Sequence, residues 1–229
     1  MDVQQSLQTG GGSEFIKLGD IGNVNEINDL YTISSATVVG INVAIAFARL
    51  GQIGGISFNA FFDSFGLEGY LSTMFLVLIF MQIARWAYTR FYTAGGIRQW
   101  SPLVFVLIVL GTQVVHDLVF YFGVLDKIPY GQNTLLDSVK RYVKENGAQS
   151  MGGHAAFLIL VSVLAMLFKE LSPVLVLFVA CLSLYLLPFL LSAISKHTKV
   201  AREAEAAAAA AAKAKTAPPK NEGGWSPGF

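Results

Sequence analysis

The chain has 229 residues, 54% of them hydrophobic and 14% charged, with a mean hydropathy of +0.55 and a formal net charge of +1. A soluble domain of this size would expose large apolar patches, so lipid is the natural solvent for that surface, and the near-neutral balance excludes the bulk basic excess of a nucleic-acid binder. The single cysteine, Cys181, sits in an apolar run; it excludes an intramolecular disulfide and a cysteine-based metal site, and it reads as a small buried apolar side chain.

Residues 1–29 read as a solvated acidic arm, in which Asp2, Glu14, Asp20, Glu26 and Asp29 oppose a single Lys17 and Gly10, Gly11 and Gly12 form a flexible joint. The arm lacks a basic n-region and an apolar h-region, so no cleavable leader is expected and insertion falls to the later segments. The first predicted span is 30–49. Its small residues Ser34, Ser35, Ala36, Gly40, Ala44 and Ala48 recur at helical spacing, which lets another helix backbone come close in a bilayer. Residues 51–69 carry Phe58, Phe61, Phe62 and Phe65 around Asp63. That stretch is too polar to span and too aromatic for a free loop, and an interfacial segment with rings at headgroup level fits it.

A second span covers 70–88, with Arg85, Trp86 and Tyr88, followed by Arg90, read as an interface belt of aromatic rings and snorkelling cations. The third span, 101–125, has Pro102 in its first turn, where the missing N–H costs little. Pro129 and Gly131 then make a turn before an amphipathic helix at 134–146, with Thr134 as its cap and Asp137 at the capping-box position. Leu135, Leu136, Val139, Tyr142 and Val143 share one face of it, and Lys140, Arg141 and Lys144 point elsewhere. The fourth segment, 154–168, is short for a span. A polar turn at Lys169, Glu170, Ser172 and Pro173 joins it to a fifth span, 171–195, where Pro188 predicts a kink. The tail, 196–229, places Glu203 and Glu205 before the alanine run 206–212 and Lys213 and Lys215 after it, which suits a helix dipole and ends at Pro218 and Pro219.

The expected fold is therefore all-α, a polytopic transmembrane helical bundle of four to five spans with an amphipathic surface helix and an Ala-rich C-terminal helix. Five spans put the termini on opposite sides. The C-terminal face then collects eleven Lys and Arg and the other face five, which predicts a cytoplasmic C-terminus.

Gln113, His116 and Asp117 fall at i, i+3 and i+4 in the third span and share one helix face. A central aspartate costs about 2.5–3.5 kcal/mol on insertion scales, so such a group is a functional hypothesis by default. One reading is a proton relay in which Asp117 sets the charge of His116; the other is interhelical hydrogen bonding with partners such as His154 or Asn42. The three histidines, His116, His154 and His197, show no metal-ligand spacing, and the chain has no GxSxG, Walker or HExxH motif. No catalytic residue, metal or cofactor is expected. Lys140, Arg141 and Lys144 suit anionic lipid, nucleic acid or simply a solvated helix face.

One resemblance narrows the reading. The run His116-Asp117-Leu118-Val119-Phe120-Tyr121, the turn with Pro129, Gly131 and Asn133, and the helix with Leu136, Asp137, Lys140, Tyr142, Lys144, Glu145 and Gly147 follow the order HDxxFY, PxGxN, LDxxKxYxKExG. In these motifs, all within residues 116–147, the chain resembles a multi-pass membrane protein family of nucleocytoplasmic large DNA viruses. The glycine-rich arm, the aromatic segment and the Ala-Pro tail lie outside them. The resemblance implies a non-enzymatic structural protein of the virion's internal membrane, a minor capsid component contacting the capsid shell. Its expected partners are the lipid bilayer and other capsid or membrane proteins, reached through the arm, the surface helix and the tail, with no specific nucleic acid. The rivals are a small proton-coupled transporter or channel using the polar face of the third span and a non-catalytic subunit of a cellular membrane complex.

Overall fold

The structure, a computed structural model, describes residues 17–51, 55–93, 99–193, 199–200 and 203–204. The glycine joint, the Ala-rich helix at 206–212 and His197 lie outside the described residues. Within them every regular element is helical: α1 Asn28–Gly51, α2 Gly55–Ala87, α3 Pro102–Phe120, α4 Thr134–Asn146, α5 Ala148–Lys169 and α6 Pro173–Ser192. α2 and α3 each run on into a π-helical turn, Tyr88–Thr93 and Tyr121–Leu125. Five of the helices are long and apolar enough to cross a membrane, which fits an integral membrane protein; α4 is not among them.

Local chemistry starts and stops these helices. Ser101 and Ser172 each cap the helix that follows, accepting hydrogen bonds from the backbone N–H of Val104 and Leu175, and each is followed by a proline that has no N–H to lose in the first turn. α1 carries Asp29 in its first turn and Arg49 in its last, matching the helix dipole. α1 is also the central rod: 56% of its apolar window is buried inside the bundle, against 17% for α3 and for α6. It packs on α2, α5 and α6. The predicted close approach occurs at Gly40, where a Cβ would sit 2.7 Å from Val161 Cγ2 of α5.

The core between the helices is filled by Ile33 and Ala36 of α1, Phe80 and Met81 of α2, Phe105 and Val109 of α3, and Val161 and Ala165 of α5. The outward faces of α3 and α6 expose Leu107, Val115, Phe178 and Tyr185, surface that only lipid covers at low cost. The starts of α1, α3 and α6 and the ends of α2 and α5 gather at one end of the bundle, the first end. The close of α1, the start of α2 and α4 gather at the second.

Several expectations need correction. The segment 17–29 is not a solvated arm: Ile21 and Asp29 are fully buried and Trp100 Nε1 donates to the Leu18 carbonyl at 3.0 Å. Arg85 does not snorkel but is also fully buried. The aromatic stretch before residue 70 is the first part of α2, which changes direction at Gly66 (φ +47°, ψ −119°), a conformation that only glycine adopts without strain. The fourth segment is a full-length helix of 22 residues, because the small polar and glycine residues of 148–153 continue it. Cys181 is exposed on the outer face of α6 rather than buried. The cap of α4 is Asn133, whose side chain accepts from Leu136 N at 3.0 Å, with Thr134 the first helical residue. α6 runs from Pro173 to Ser192 with Pro188 inside it, ending three residues before the predicted close of the fifth span.

Candidate functional site

Gln113, His116 and Asp117 come together on α3 as their spacing predicts, and α5 adds His154. Asp117 lies between two imidazoles, with His116 Nδ1 at 3.2 Å from Oδ1 and His154 Nδ1 at 3.7 Å from Oδ2. Gln113 Nε2 donates to Asp117 Oδ2 and to the Met151 carbonyl of α5, both at 3.2 Å, while its Oε1 is buried without a partner. The cluster is therefore a clasp between α3 and α5. It sits in their second-end halves, since His154 is six residues into α5, about 9 Å along the helix.

Aromatic rings close the inner side. The buried Phe80 of α2 meets His116 edge-on, with centroids 4.7 Å apart, and lies 5.6 Å from His154, while Phe120 stacks on His116. The His116, Asp117 and His154 side chains keep 33, 23 and 26% of their surface, so the carboxylate stands at the outer edge of the α3–α5 seam rather than deep between helices. Chemically the group can hold or pass a proton, because each partner of the carboxylate is neutral or able to become so. His154 is the predicted partner; Asn42 is not, since its Nδ2 donates to the Ser183 carbonyl at 2.5 Å and to Ser183 Oγ at 2.7 Å, tying α1 to α6.

The residues of the turn and surface-helix motifs work within the chain. Gly131 adopts φ +89° and its N–H donates to Asp137 Oδ2 at 2.9 Å, so glycine and aspartate together lock the turn that contains Pro129 and leads to the cap at Asn133. Lys140 Nζ donates to the Ile128 carbonyl and lies over the Tyr130 ring. Tyr142 packs near Phe58, and Glu145 accepts from the backbone N–H of Ser57 at 2.8 Å, both contacts holding α4 to α2. Burial, and then the negative Glu145, push the Tyr142 phenol above its ordinary value. Lys144 is exposed, and Gly147 (φ +53°) separates α4 from α5.

Sequence reasoning missed a second charged centre. At the first end Asp29 receives Arg85 Nη2 at 3.2 Å and Lys169 Nζ at 2.5 Å. Arg85 also donates to the carbonyls of Ile21 (2.9 Å), Asn23 and Glu26 (2.8 Å). The guanidinium thus cages the segment before α1. The signal was present as an acid opening one apolar run and an arginine closing the next, a pairing that antiparallel neighbours bring to one level. A third pair, Arg49 with Asp63 at 2.7 Å, joins α1 to α2 at the second end, where Arg49 Nη1 also donates to Asn59. No protein-family model, no curated protein and no solved structure matches the chain.

Proposed function

We propose that this protein is a structural membrane protein that holds a lipid bilayer to a protein layer, and that the layer is the capsid shell of a large DNA virus, where the chain would be a minor capsid component of the internal membrane. One observation supports this reading above the others. The buried charges at both ends are closed by partners within the chain, Arg85 and Lys169 on Asp29 and Arg49 on Asp63, and bind one element to another. Paired and hydrogen-bonded ions of this kind fix the relative position of elements. The polar surfaces left for neighbours lie at the two ends, residues 17–27 at one and α4 at the other.

Proteomics of purified particles before and after detergent stripping tests the reading. The chain should be enriched in particles, leave with the membrane fraction, and crosslink to shell protein through α4 or the tail; absence from particles removes the viral assignment. Protease digestion of sealed vesicles tests the cytoplasmic C-terminus, since a C-terminal tag protected from external protease in right-side-out vesicles and cleaved in inverted ones agrees with it.

The second reading, a proton-coupled transporter, is favoured by the partly exposed Asp117 between two histidines. Proteoliposomes under an imposed pH gradient separate the two. The scaffold reading expects the same proton leak from the wild type and from Asp117→Asn, and a flux that the substitution abolishes would establish transport.

A further inference from the structure

At the second end, where α4 lies across the start of α2, there is a recess of about 520 Å³. One wall is a polar stripe of α4, Thr134, Asp137, Ser138 and Arg141, residues at i, i+3, i+4 and i+7 and so on one helix face. The rest is Ser64 and Phe65 of α2, next to the break at Gly66, and Tyr130 of the turn. Glu145, at i+4 from Arg141, continues this stripe one turn further on, where it and the flanking Tyr142 hold α4 to α2.

The charges of the recess are present but not paired with each other. Asp137 and Arg141 stand at i and i+4, the spacing of a helical ion pair, yet form none. Asp137 uses Oδ2 for the Gly131 N–H, while its Oδ1 is buried without a hydrogen-bond partner. Arg141, exposed, makes one side-chain hydrogen bond, from Nη2 to Ser138 Oγ at 3.0 Å, which leaves the other guanidinium donors open. A buried carboxylate oxygen without a donor is costly, and a ligand bearing N–H groups relieves it. An arginine with open donors suits the oxygens of a phosphate.

A ligand that meets both needs carries an anionic phosphate and a primary ammonium a few bonds apart. The recess is walled by α4, between the third apolar span, which ends at Leu125, and the fourth, which starts at Gln149, the level at which headgroups meet the protein. Phe65 and the largely exposed Tyr130 supply apolar edges for the glycerol region. We infer that this recess binds the headgroup of an ethanolamine phospholipid, with the phosphate on Arg141 and the ammonium on Asp137 Oδ1. Choline has no N–H to give the carboxylate, and a headgroup with no cation leaves Asp137 opposed by the phosphate. The site requires only that the chain sits in a bilayer, so it stands or falls separately from the scaffold role.

Native mass spectrometry of the full-length protein in detergent tests the assignment, using equal mixtures of phosphatidylethanolamine and phosphatidylcholine with matched acyl chains. The wild type should retain the ethanolamine lipid about tenfold over the choline lipid, the size of one charge-assisted hydrogen bond. Asp137→Asn should erase that preference while phospholipid is still retained, and Arg141→Gln should lower retention of both lipids. Equal retention by the wild type, an unchanged preference in Asp137→Asn, or tighter binding of phosphatidylglycerol would overturn the proposal. A competition on the wild type needs no variant to fold. Soluble phosphoethanolamine should displace the bound lipid better than inorganic phosphate does, and equal displacement would mark a site for free phosphate instead.

Discussion

The two ends of the bundle hold a carboxylate in opposite ways. At the first end Asp29 faces two cations, and the larger of them, Arg85, is itself fixed by three backbone carbonyls of the segment before α1. The ion pair therefore fixes the path of the chain before α1. At the second end Asp117 faces two histidines and an amide and has no lysine or arginine beside it among the described contacts. Asp29 is a mechanical joint, as is the Arg49–Asp63 pair at the second end, whereas Asp117 is a clasp between α3 and α5 made with imidazole and amide partners. Ionic groups far from water are tolerable in either form, but only the first forces a distant segment into register.

The sharpest way to break the comparison is Arg85→Met. It removes the donor from three carbonyls and half of Asp29's neutralisation, and removing one partner of a buried pair costs about 3–5 kcal/mol. The unfolding temperature in detergent should fall, and trypsin should cleave after Lys17 in the otherwise folded protein. Unchanged melting and cleavage would show that packing of Ile21 alone holds the segment. The surface pair Lys17–Glu170 at 3.1 Å, with Lys17 largely exposed, is too weak to do so. Between the two ends, Asn42→Val removes the α1–α6 link to Ser183, and hydrogen bonds of this type in membrane bundles are worth about 0.6–1.7 kcal/mol. A smaller, measurable loss of unfolding temperature is expected there.

At the second end Asp117→Asn should cost less again, about 1 kcal/mol or below, because the new amide oxygen still accepts from either imidazole and the helices keep Gln113 on the Met151 carbonyl. Equal losses from Asp117→Asn and Arg85→Met would erase the distinction between clasp and joint.

What the chain revealed in advance follows the range of each interaction. Pro102 in the first turn of α3, the small-residue stripe around Gly40 and the i, i+3, i+4 group on α3 depend on residues within a turn or two of one another, and spacing exposes them. Arg85 with Asp29 is separated by 56 positions, and Arg85 with Ile21 by 64, so only the fold brings them together. Local polarity misled in the same way. Residues 17–29 look solvated because polar and glycine residues outnumber Leu18, Ile21, Val24 and Ile27, yet the backbone carbonyls of that stretch are what the arginine needs. The aromatic stretch looks interfacial because Asp63 interrupts it, yet Arg49 neutralises that carboxylate and lets the helix begin at Gly55. The reach of α5 was hidden by Gly152 and Gly153, poor helix formers that tertiary packing overrides, Gly153 lying beside the Tyr142 hydroxyl.

Tyr142 offers the finest test, because its effect vanishes near neutral pH. Burial against α2, with the negative Glu145 adding to it, raises the phenol's pKa in the folded protein above that of the unfolded chain. The folded state therefore binds this proton more tightly. The stabilisation is complete below the unfolded value of about 10 and is lost as pH rises through the folded one. Hydrogen exchange of the α4 amides should be indistinguishable between wild type and Tyr142→Phe near pH 7, since the phenol is neutral in both states there and the ring still packs on Phe58. As the solution becomes strongly alkaline, α4 of the wild type should loosen relative to the variant. The other tyrosines are common to both proteins and cancel in the difference. Identical alkaline behaviour would mean that the hydroxyl already meets water and that α4 is held by Glu145 on Ser57 rather than by the ring.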